Sequence, residues 1–235
     1  MFQSVPGPAD FQNYRVTNAN FAELIRQPLY DYTLYPGAGS AQLQFFQHQV
    51  GQGVTTSLGA VVGSPNSLSD TNMQLGGQLP SGLEFLCEAI NVEFYPGSVA
   101  TASTYTPAAM TFFNTIASAT VGAQLNDANI FWQSGLFELN VSGKNYSRVT
   151  PLMKLVPDVT FDLTAAIANN SATTSAVGSG VLKPVGSIYE LLPPISLQPS
   201  IAFESVIKYP AAVPLPSGFN ARVGVTLQGY QKRAG

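Results

Sequence analysis

Hydrophobic and polar positions alternate strictly near the C-terminal end of the chain. In ARVGVTLQGYQKR (221–233), every odd position over 221–229 is small or apolar, whereas Arg222, Thr226 and Gln228 lie between them. A period of two is typical of a β-strand with one buried face. We therefore predict that this stretch is the last strand, that it lies beside the first strand in the same sheet, and that one of its faces is buried along its whole length.

Short runs rich in Val, Ile, Phe, Tyr and Thr recur along the rest of the chain, which contains 21 Gly and 17 Pro. Such runs between turn-forming residues predict β-strands. The predicted strands are the β-prone 31–35, the first strong strand 41–50, then 83–97, two strands within 130–149 joined by a turn at Ser142-Gly143, then 159–168 (a strand or a short helix), 187–199, 200–210 and 221–233. The predicted buried faces are Ile90, Val92 and Phe94; Phe137, Leu139 and Val141; and Ile201, Phe203 and Ile207.

Three segments depart from the strand pattern. The segment 106–122 is the best helix candidate, with Thr106 as N-cap and Pro107 in the first helical position. Residues 51–82 are rich in Gly, Ser, Asn and Asp and predict a long loop. Residues 169–187 are mostly small and predict a second loop.

The predicted fold class is all-β, a single eight-stranded jelly-roll sandwich or barrel with long loops and a short helical insertion. Residues 1–26 begin with a proline-rich stretch and are assigned as an N-terminal arm, in which 18–27 could form a short helix. Residues 27–235 form the jelly-roll domain. The alternative is two barrels divided near residue 122, although no internal repeat supports it.

The content of charged residues is unusually low. Asp, Glu, Lys and Arg make up 10% of the chain, against roughly 25% in typical soluble domains. A surface poor in charge and rich in Gln, Asn, Ser and Thr favours burial against partners in an assembly. The net charge is −3, and the only basic cluster is Lys232-Arg233, with Arg222 on the same strand. This balance argues against a dedicated nucleic-acid-binding domain.

The sequence contains no recognisable catalytic or nucleotide-binding motif. A G-x-S-x-G elbow, a P-loop and a G-x-G-x-x-G turn are all missing. The one histidine, His48, predicts a solvent- or subunit-facing strand residue, and the one cysteine, Cys87, predicts a buried inert thiol. The N-terminus lacks the features of a signal peptide, and no apolar run is long enough for a transmembrane helix. We expect no catalytic residues, no metal ligands and no cofactor.

The acidic residues predict solvated or turn positions. A pair of carboxylates could serve glycoside hydrolysis, but we expect Glu84 and Glu88 on one strand face and Glu93 on the other, with Glu138 on a separate strand. The aspartates lie in or beside predicted turns, where they accept local backbone hydrogen bonds; a cation site in one of these loops is the alternative. These aspartates are Asp31, Asp70, Asp127 and Asp158.

Five stretches in this order resemble the jelly-roll major capsid proteins of tailless bacteriophages and their metagenomic relatives. They are QPLYDYTLYPGAGSAQLQFF (27–46), SDTNMQLGGQLPSGLEFLCEAINVEF (69–94), GLFELNVSGKNYSRVTPLMKLVP (135–157), YELLPPISLQPSIAFESVI (189–207) and the closing strand 221–233. The most suggestive part is P-P-I-x-L-x-P followed by a short apolar strand and a closing L-x-G. Many capsid proteins of membrane-containing phages fuse two jelly rolls, whereas this chain is predicted to hold one.

The resemblance implies a self-assembling shell subunit of a virion, synthesised in the host cytoplasm and without enzymatic activity. Its expected partners are copies of itself, with minor capsid or vertex proteins as further candidates. Lys232 and Arg233 are the candidates for contact with a genome or an internal membrane. The alternatives are a spike or lectin-like sandwich that binds glycans through exposed Tyr residues and Trp132, and a jelly-roll glycosidase or lyase.

Overall fold

The computed structural model describes residues 21–57, 61, 63–97, 118–155, 159–170, 173–184 and 189–234. Within these ranges the chain forms eleven strands and one α-helix, α1 (Ser118–Ser134). The strands are β1 (Phe21–Arg26), β2 (Leu29–Tyr35), β3 (Gln42–Phe45), β4 (Leu83–Tyr95), β5 (Leu136–Val141), β6 (Lys144–Pro151), β7 (Val159–Asn170), β8 (Thr173–Pro184), β9 (Tyr189–Leu197), β10 (Phe203–Lys208) and β11 (Ala221–Ala234). The all-β fold class with a short helix is confirmed.

The closing strand β11 lies at the centre of the first sheet. It pairs along its length with β4, whose other edge pairs with β9, while β2 and then β1 pair with the opposite edge of β11. All pairs are antiparallel. The odd positions of 221–227 are fully buried, as the alternation predicts. Thr226 on the opposite face is buried as well.

The second sheet has the order β3-β10-β5-β6, and all of its pairs are antiparallel. The chain therefore passes back and forth between two four-stranded layers, β2-β11-β4-β9 and β3-β10-β5-β6, which is the jelly-roll arrangement. The two-barrel alternative was wrong, because strands from both sides of residue 122 pair within each sheet. The strand beside β11 is β2, and the first strong predicted strand, 41–50, belongs to the opposite sheet. The third sheet is the two-stranded hairpin β7-β8.

The core lies between the two layers. A bulge at Glu88 shifts the phase of β4, so that Phe85 and Cys87 before it and Ile90 and Val92 after it all point inward. From the second sheet, the inward faces of β5 and β10 complete the core. They consist of Phe137, Leu139, Val141, Phe203 and Ile207. Ile201 does not share that face as predicted, because it precedes β10 and is 38% exposed.

The helix α1 closes one end of the sandwich. Its first residues, 118–122, fall within the segment predicted as helical, and the rest of that segment, 106–117, lies outside the described residues. Residues 130–134 belong to α1 rather than to a strand, because Asp127 and Phe131, one helical turn apart, both face inward and are fully buried. The predicted cap at Thr106 and Pro107 lies outside the described residues. In the part of the chain that the structure describes, no helix is both long enough and apolar enough to span a membrane.

Three other segments differ from the predictions. The strand predicted over 41–50 ends at Phe45, because Phe46 adopts a positive φ of 67°. The loop predicted over 169–187 contains β8, whose small residues pair with β7. Within the predicted N-terminal arm, residues 21–26 form β1 and not a helix. The predicted turn at Ser142-Gly143 is confirmed, and both residues have the positive φ of a tight hairpin.

Candidate functional site

The acidic residues of β4 lie on the outer face of the first sheet, the face that points away from the core. The bulge at Glu88 places Glu93 on the same face as Glu84, so their predicted separation onto opposite faces was wrong. At about 3.3 Å per residue, the two carboxylates are roughly 25 Å apart along the strand. Glycoside hydrolysis needs two carboxyl groups within about 10 Å, so these residues do not form such a pair.

Glu93 is the acceptor of a compact hydrogen-bond cluster. The hydroxyl groups of Tyr32 and Tyr95 both donate to its Oε2 at 2.7 Å, and Asn91 donates to Oε1 at 3.2 Å. Burial, followed by the nearby Glu93 charge, raises the pKa of the Tyr32 hydroxyl. The ring of Tyr32 lies across Gly224, where a Cβ atom would come within 2.2 Å of it. The sheet therefore holds these groups in one fixed arrangement.

Glu84 forms a second cluster towards the other end of the same face. It accepts hydrogen bonds from Ser196 at 2.6 Å, Lys232 at 3.1 Å and Gln198 at 3.2 Å. Burial alone would raise the pKa of Glu84, but these donors lower it below its ordinary value. Lys232 is only 5% exposed, so it is not the surface cation that the sequence predicted, whereas Arg233 is exposed.

Arg222 does not belong to a basic cluster with Lys232, because the two lie ten positions apart on β11, or roughly 33 Å. Its guanidinium carbon lies 4.0 Å from the centre of the Tyr32 ring. The same guanidinium donates to the backbone oxygen of Ser69 and lies 3.7 Å from Oδ1 of Asp70. Arg222 thus connects the outer face of the sheet to the segment between β3 and β4, residues 46–82, which we call the long loop.

Asp70 organises the long loop and is fully buried. Its carboxylate accepts hydrogen bonds from side-chain hydroxyls and backbone N–H groups at 2.7–3.1 Å. Burial alone would raise the pKa of Asp70, but these hydrogen bonds outweigh it and hold the pKa well below its ordinary value. The donor residues are Thr55, Thr56, Ser57 and Ser67. Asp70 was predicted to lie beside a turn and accept local bonds; the donors from 55–57 are more distant in sequence than that prediction allowed.

The long loop also covers the free edge of β2. The Tyr32 N–H donates to the Asp70 carbonyl at 2.8 Å, and the Asn72 N–H donates to the Tyr30 carbonyl at 3.3 Å. Asp31 and Thr71 form an antiparallel bridge between them. The loop therefore acts as a short additional strand at this edge, which would otherwise offer unpaired backbone groups.

Asp31 is a buried acid at the junction of β2, β3 and the long loop. Its Oδ2 accepts the Phe46 N–H at 2.5 Å, which fixes the backbone where β3 ends, while its Oδ1 has no hydrogen-bond partner. Burial raises the pKa of Asp31 to about 7, despite the opposing hydrogen bond from Phe46. The folded protein therefore favours the neutral form of Asp31 more strongly than the unfolded chain does.

This raised pKa predicts a pH-dependent effect of the substitution Asp31→Asn. In the wild type, ionisation of Asp31 lowers the free energy of unfolding as the pH rises above about 4, the pKa of an aspartate in the unfolded chain. The loss is complete above about pH 7, the pKa of Asp31 in the folded protein. We expect the Asn variant to be more stable than the wild type by about 2 kcal/mol at pH 8 and to lose this advantage at pH 4. Urea unfolding at both pH values measures the difference; an advantage that does not change with pH would contradict the assignment.

The other candidate residues have structural roles. Cys87 is buried, and burial raises the pKa of its thiol to about 12, as predicted for an inert cysteine. His48 is exposed in the long loop and not in a strand. Trp132 is partly buried and packs edge-on against Phe131 at the margin of the core cluster. Glu138 forms an ion pair with Lys208 at 2.6 Å.

Of the two remaining aspartates, only one lies within the described residues. Asp127 is buried in α1 and accepts the Ser217 N–H at 2.9 Å through Oδ1, and Asp158 lies outside the described residues. No three His, Cys, Asp or Glu side chains converge within the part of the chain that the structure describes.

The long loop carries a surface that sequence analysis did not single out. Val54, Val61 and Leu68 are 60%, 77% and 67% exposed, although all three are aliphatic. Between Asp31 and Glu84 the only Asp, Glu, Lys or Arg is the buried Asp70. The absence of charge was visible in the sequence, but the exposure of the aliphatic side chains was not.

The described residues thus build an ordered, uncharged loop on a jelly-roll sandwich rather than a cluster of reactive groups. Comparisons with known proteins add no relative: no family model matches the chain, and no curated protein and no solved structure is significantly similar to it. The interpretation of this surface therefore rests on the residues themselves.

Proposed function

We propose that this chain is a structural subunit that assembles with copies of itself into the shell of a virion, as the major capsid protein of a tailless bacteriophage or a related virus. The observation that carries the proposal is the strand order of the two sheets, β2-β11-β4-β9 and β3-β10-β5-β6. This arrangement occurs in viral capsid proteins, and also in lectins and cupins. The sequence pattern over 27–233 and the low charge favour the first of these classes.

The low content of charged residues favours an assembled protein over a free monomer. Soluble monomers commonly carry charged residues over about a quarter or more of their surface, whereas this chain has 10% charged residues in total. Several of these few charges are held in internal pairs, including Glu84 with Lys232 and Asp70 with Arg222. The surface left for contact with neighbours is consequently neutral, polar and partly aliphatic.

The edges of the first sheet at β9 and β2 favour contacts through loops and faces rather than through added strands. The outer edge strand β9 contains Pro193 and Pro194, which have no N–H group to donate to another strand. The opposite edge at β2 is covered by the long loop. A shell built from such subunits is held by side-chain surfaces, and its symmetry limits its growth.

The test is the mass of the purified chain in solution. We expect light scattering after gel filtration to give defined oligomers or closed particles well above the 24.9 kDa of one chain, with the distribution shifting to larger species as concentration rises. A single monomer peak at all concentrations and salt conditions would contradict the proposal. A stable trimer that binds glycans on an array would instead favour the spike or lectin-like alternative.

A further inference from the structure

We propose that the long loop is the surface through which one copy of this chain binds another, at the exposed side chains of Val54, Val61 and Leu68. This inference rests on the proposed function and names the contact that the function requires. Three observations support it: Asp70, which is buried, is the only Asp, Glu, Lys or Arg of the loop, internal hydrogen bonds join its described residues on either side of 58–62, and it presents aliphatic groups to solvent.

The absence of charge indicates what kind of partner fits. Over residues 32–69 there is no Asp, Glu, Lys or Arg, and the next charged residue, Asp70, is buried. A surface that recognises an oppositely charged partner carries charges of its own. In an assembly of identical subunits the same loop recurs on every copy, and like charges that meet across a contact are costly. An uncharged loop avoids this cost, so a second copy of this chain is the occupant that its composition favours.

Hydrogen bonds within the loop hold its described residues before and after 58–62 together. The backbone of 51–55 pairs with that of 64–66: Gly51 donates to the Asn66 carbonyl at 2.8 Å, and Thr55 donates to the Ser64 carbonyl at 2.8 Å. The Asp70 carboxylate then joins both sides of this ladder, since it binds Thr55 on one side and Ser67 on the other. Binding through such a surface loses little conformational entropy, because the loop is already in place.

The aliphatic side chains supply the binding energy. Val54 lies in the ladder, and the Val61 carbonyl accepts the Ser64 N–H at 3.1 Å just before it. Leu68 follows the ladder, two positions before Asp70. The hydroxyl of Tyr30 donates to the Leu68 carbonyl at 2.5 Å and so ties this end of the loop to β2. A partner that covers these aliphatic groups removes them from water, which favours association. Burial of the three would contribute a few kcal/mol to association.

The experiment compares single aspartate substitutions in the full-length chain. Val61→Asp and Leu68→Asp place a charge on the loop, and Leu192→Asp is the matched control because Leu192 is 74% exposed on the edge strand β9. We expect the loop variants to weaken self-association by about tenfold or more, and the control to leave it within about threefold of wild type. Circular dichroism and thermal unfolding check that each variant is folded.

A second readout uses thiol chemistry. Because Cys87 is buried and its thiol pKa is raised to about 12, the cysteine of a Val61→Cys variant is expected to be the only reactive thiol. We expect its maleimide labelling to be about tenfold slower in assembled particles than in dissociated subunits.

The outcomes separate the two proposals. If the wild type assembles but both loop aspartate variants assemble equally well, or if Val61→Cys labels at the same rate in particles and in subunits, the inference about the loop is wrong and the proposed function stands. If the wild type itself stays monomeric, the proposed function fails and the loop contact fails with it.

Discussion

Replacing Phe131 with alanine is expected to lower the free energy of unfolding by about 4 kcal/mol. Phe131 is fully buried at the end of the sandwich, where its ring stacks on Phe94 with 4.4 Å between ring centres. Its ring also contacts that of Tyr35 edge-on, with 6.0 Å between ring centres, and that of Tyr209 at a tilt, with 6.3 Å between ring centres. The substitution leaves a cavity and removes the aromatic contacts that join α1 to both sheets, and each effect is destabilising.

Urea unfolding followed by circular dichroism measures this loss. Phe219→Ala is the matched control, because Phe219 is 46% exposed in the β10–β11 connection and its truncation should cost less than about 1 kcal/mol. Equal costs for the two variants would show that α1 does not hold the end of the sandwich. Because Tyr209 donates to the Phe131 carbonyl at 3.2 Å, that hydrogen bond is expected to survive the substitution.

Replacing Asp70 with alanine is expected to cost about 3 kcal/mol and to release the long loop. The substitution removes the common acceptor of hydroxyl and N–H donors from 55–57 and Ser67, and it leaves Arg222 without its carboxylate. Buried donors without acceptors are more costly than the lost bonds themselves. Limited proteolysis should therefore cut the variant within 46–82 faster than the wild type.

The low pKa of Asp70 gives this prediction a pH dependence. Since the folded pKa lies below the unfolded value, the stabilisation by Asp70 is complete above about pH 4 and is lost as pH falls further. The difference in stability between wild type and Asp70→Ala should accordingly shrink from pH 5 to pH 3. Ser69→Ala, at an exposed neighbouring position, is the control and should change stability by less than about 0.5 kcal/mol. A difference that stays constant over this pH range would contradict the role of the carboxylate.

The sequence predicted the sandwich well because its strands carry a simple period. The alternation over 221–227 and the buried faces of β4 and β5 follow from side chains that point to opposite sides of a strand. The jelly-roll class followed from the number of strands, and the single domain followed from the absence of a repeat. Strong patterns of this kind are local, so they do not depend on which strand pairs with which.

The predictions failed where one local feature changed the hydrophobic period of a strand, or where tertiary contacts determined the secondary structure. The bulge at Glu88 reverses the phase of β4 and brings Glu84 and Glu93 onto one face. Residues 130–134, which include Phe131 and Trp132, predict a strand, but the buried Asp127 and Phe131 stand at i and i+4 on the helix that closes the sandwich. The small residues of 173–184 predict a loop, although pairing with β7 makes them a strand.

The candidate site was the least predictable part. The lack of charge in the long loop can be read from the sequence, whereas the role of Asp70 depends on donors from 55–57 that only the fold brings to it. The burial of Lys232 likewise depends on its pairing with Glu84 across two strands. Contacts between residues that are distant in sequence produce these features, and a single sequence carries little information about such contacts.

The most direct test of the central claim is electron microscopy of the purified wild-type chain over a range of concentrations. The account predicts uniform capsomers or closed particles with regular symmetry, which the Val61→Asp variant fails to form at the same concentration. A field of monomers only, with the size of one 24.9 kDa chain, would contradict the assignment of this protein as a shell subunit.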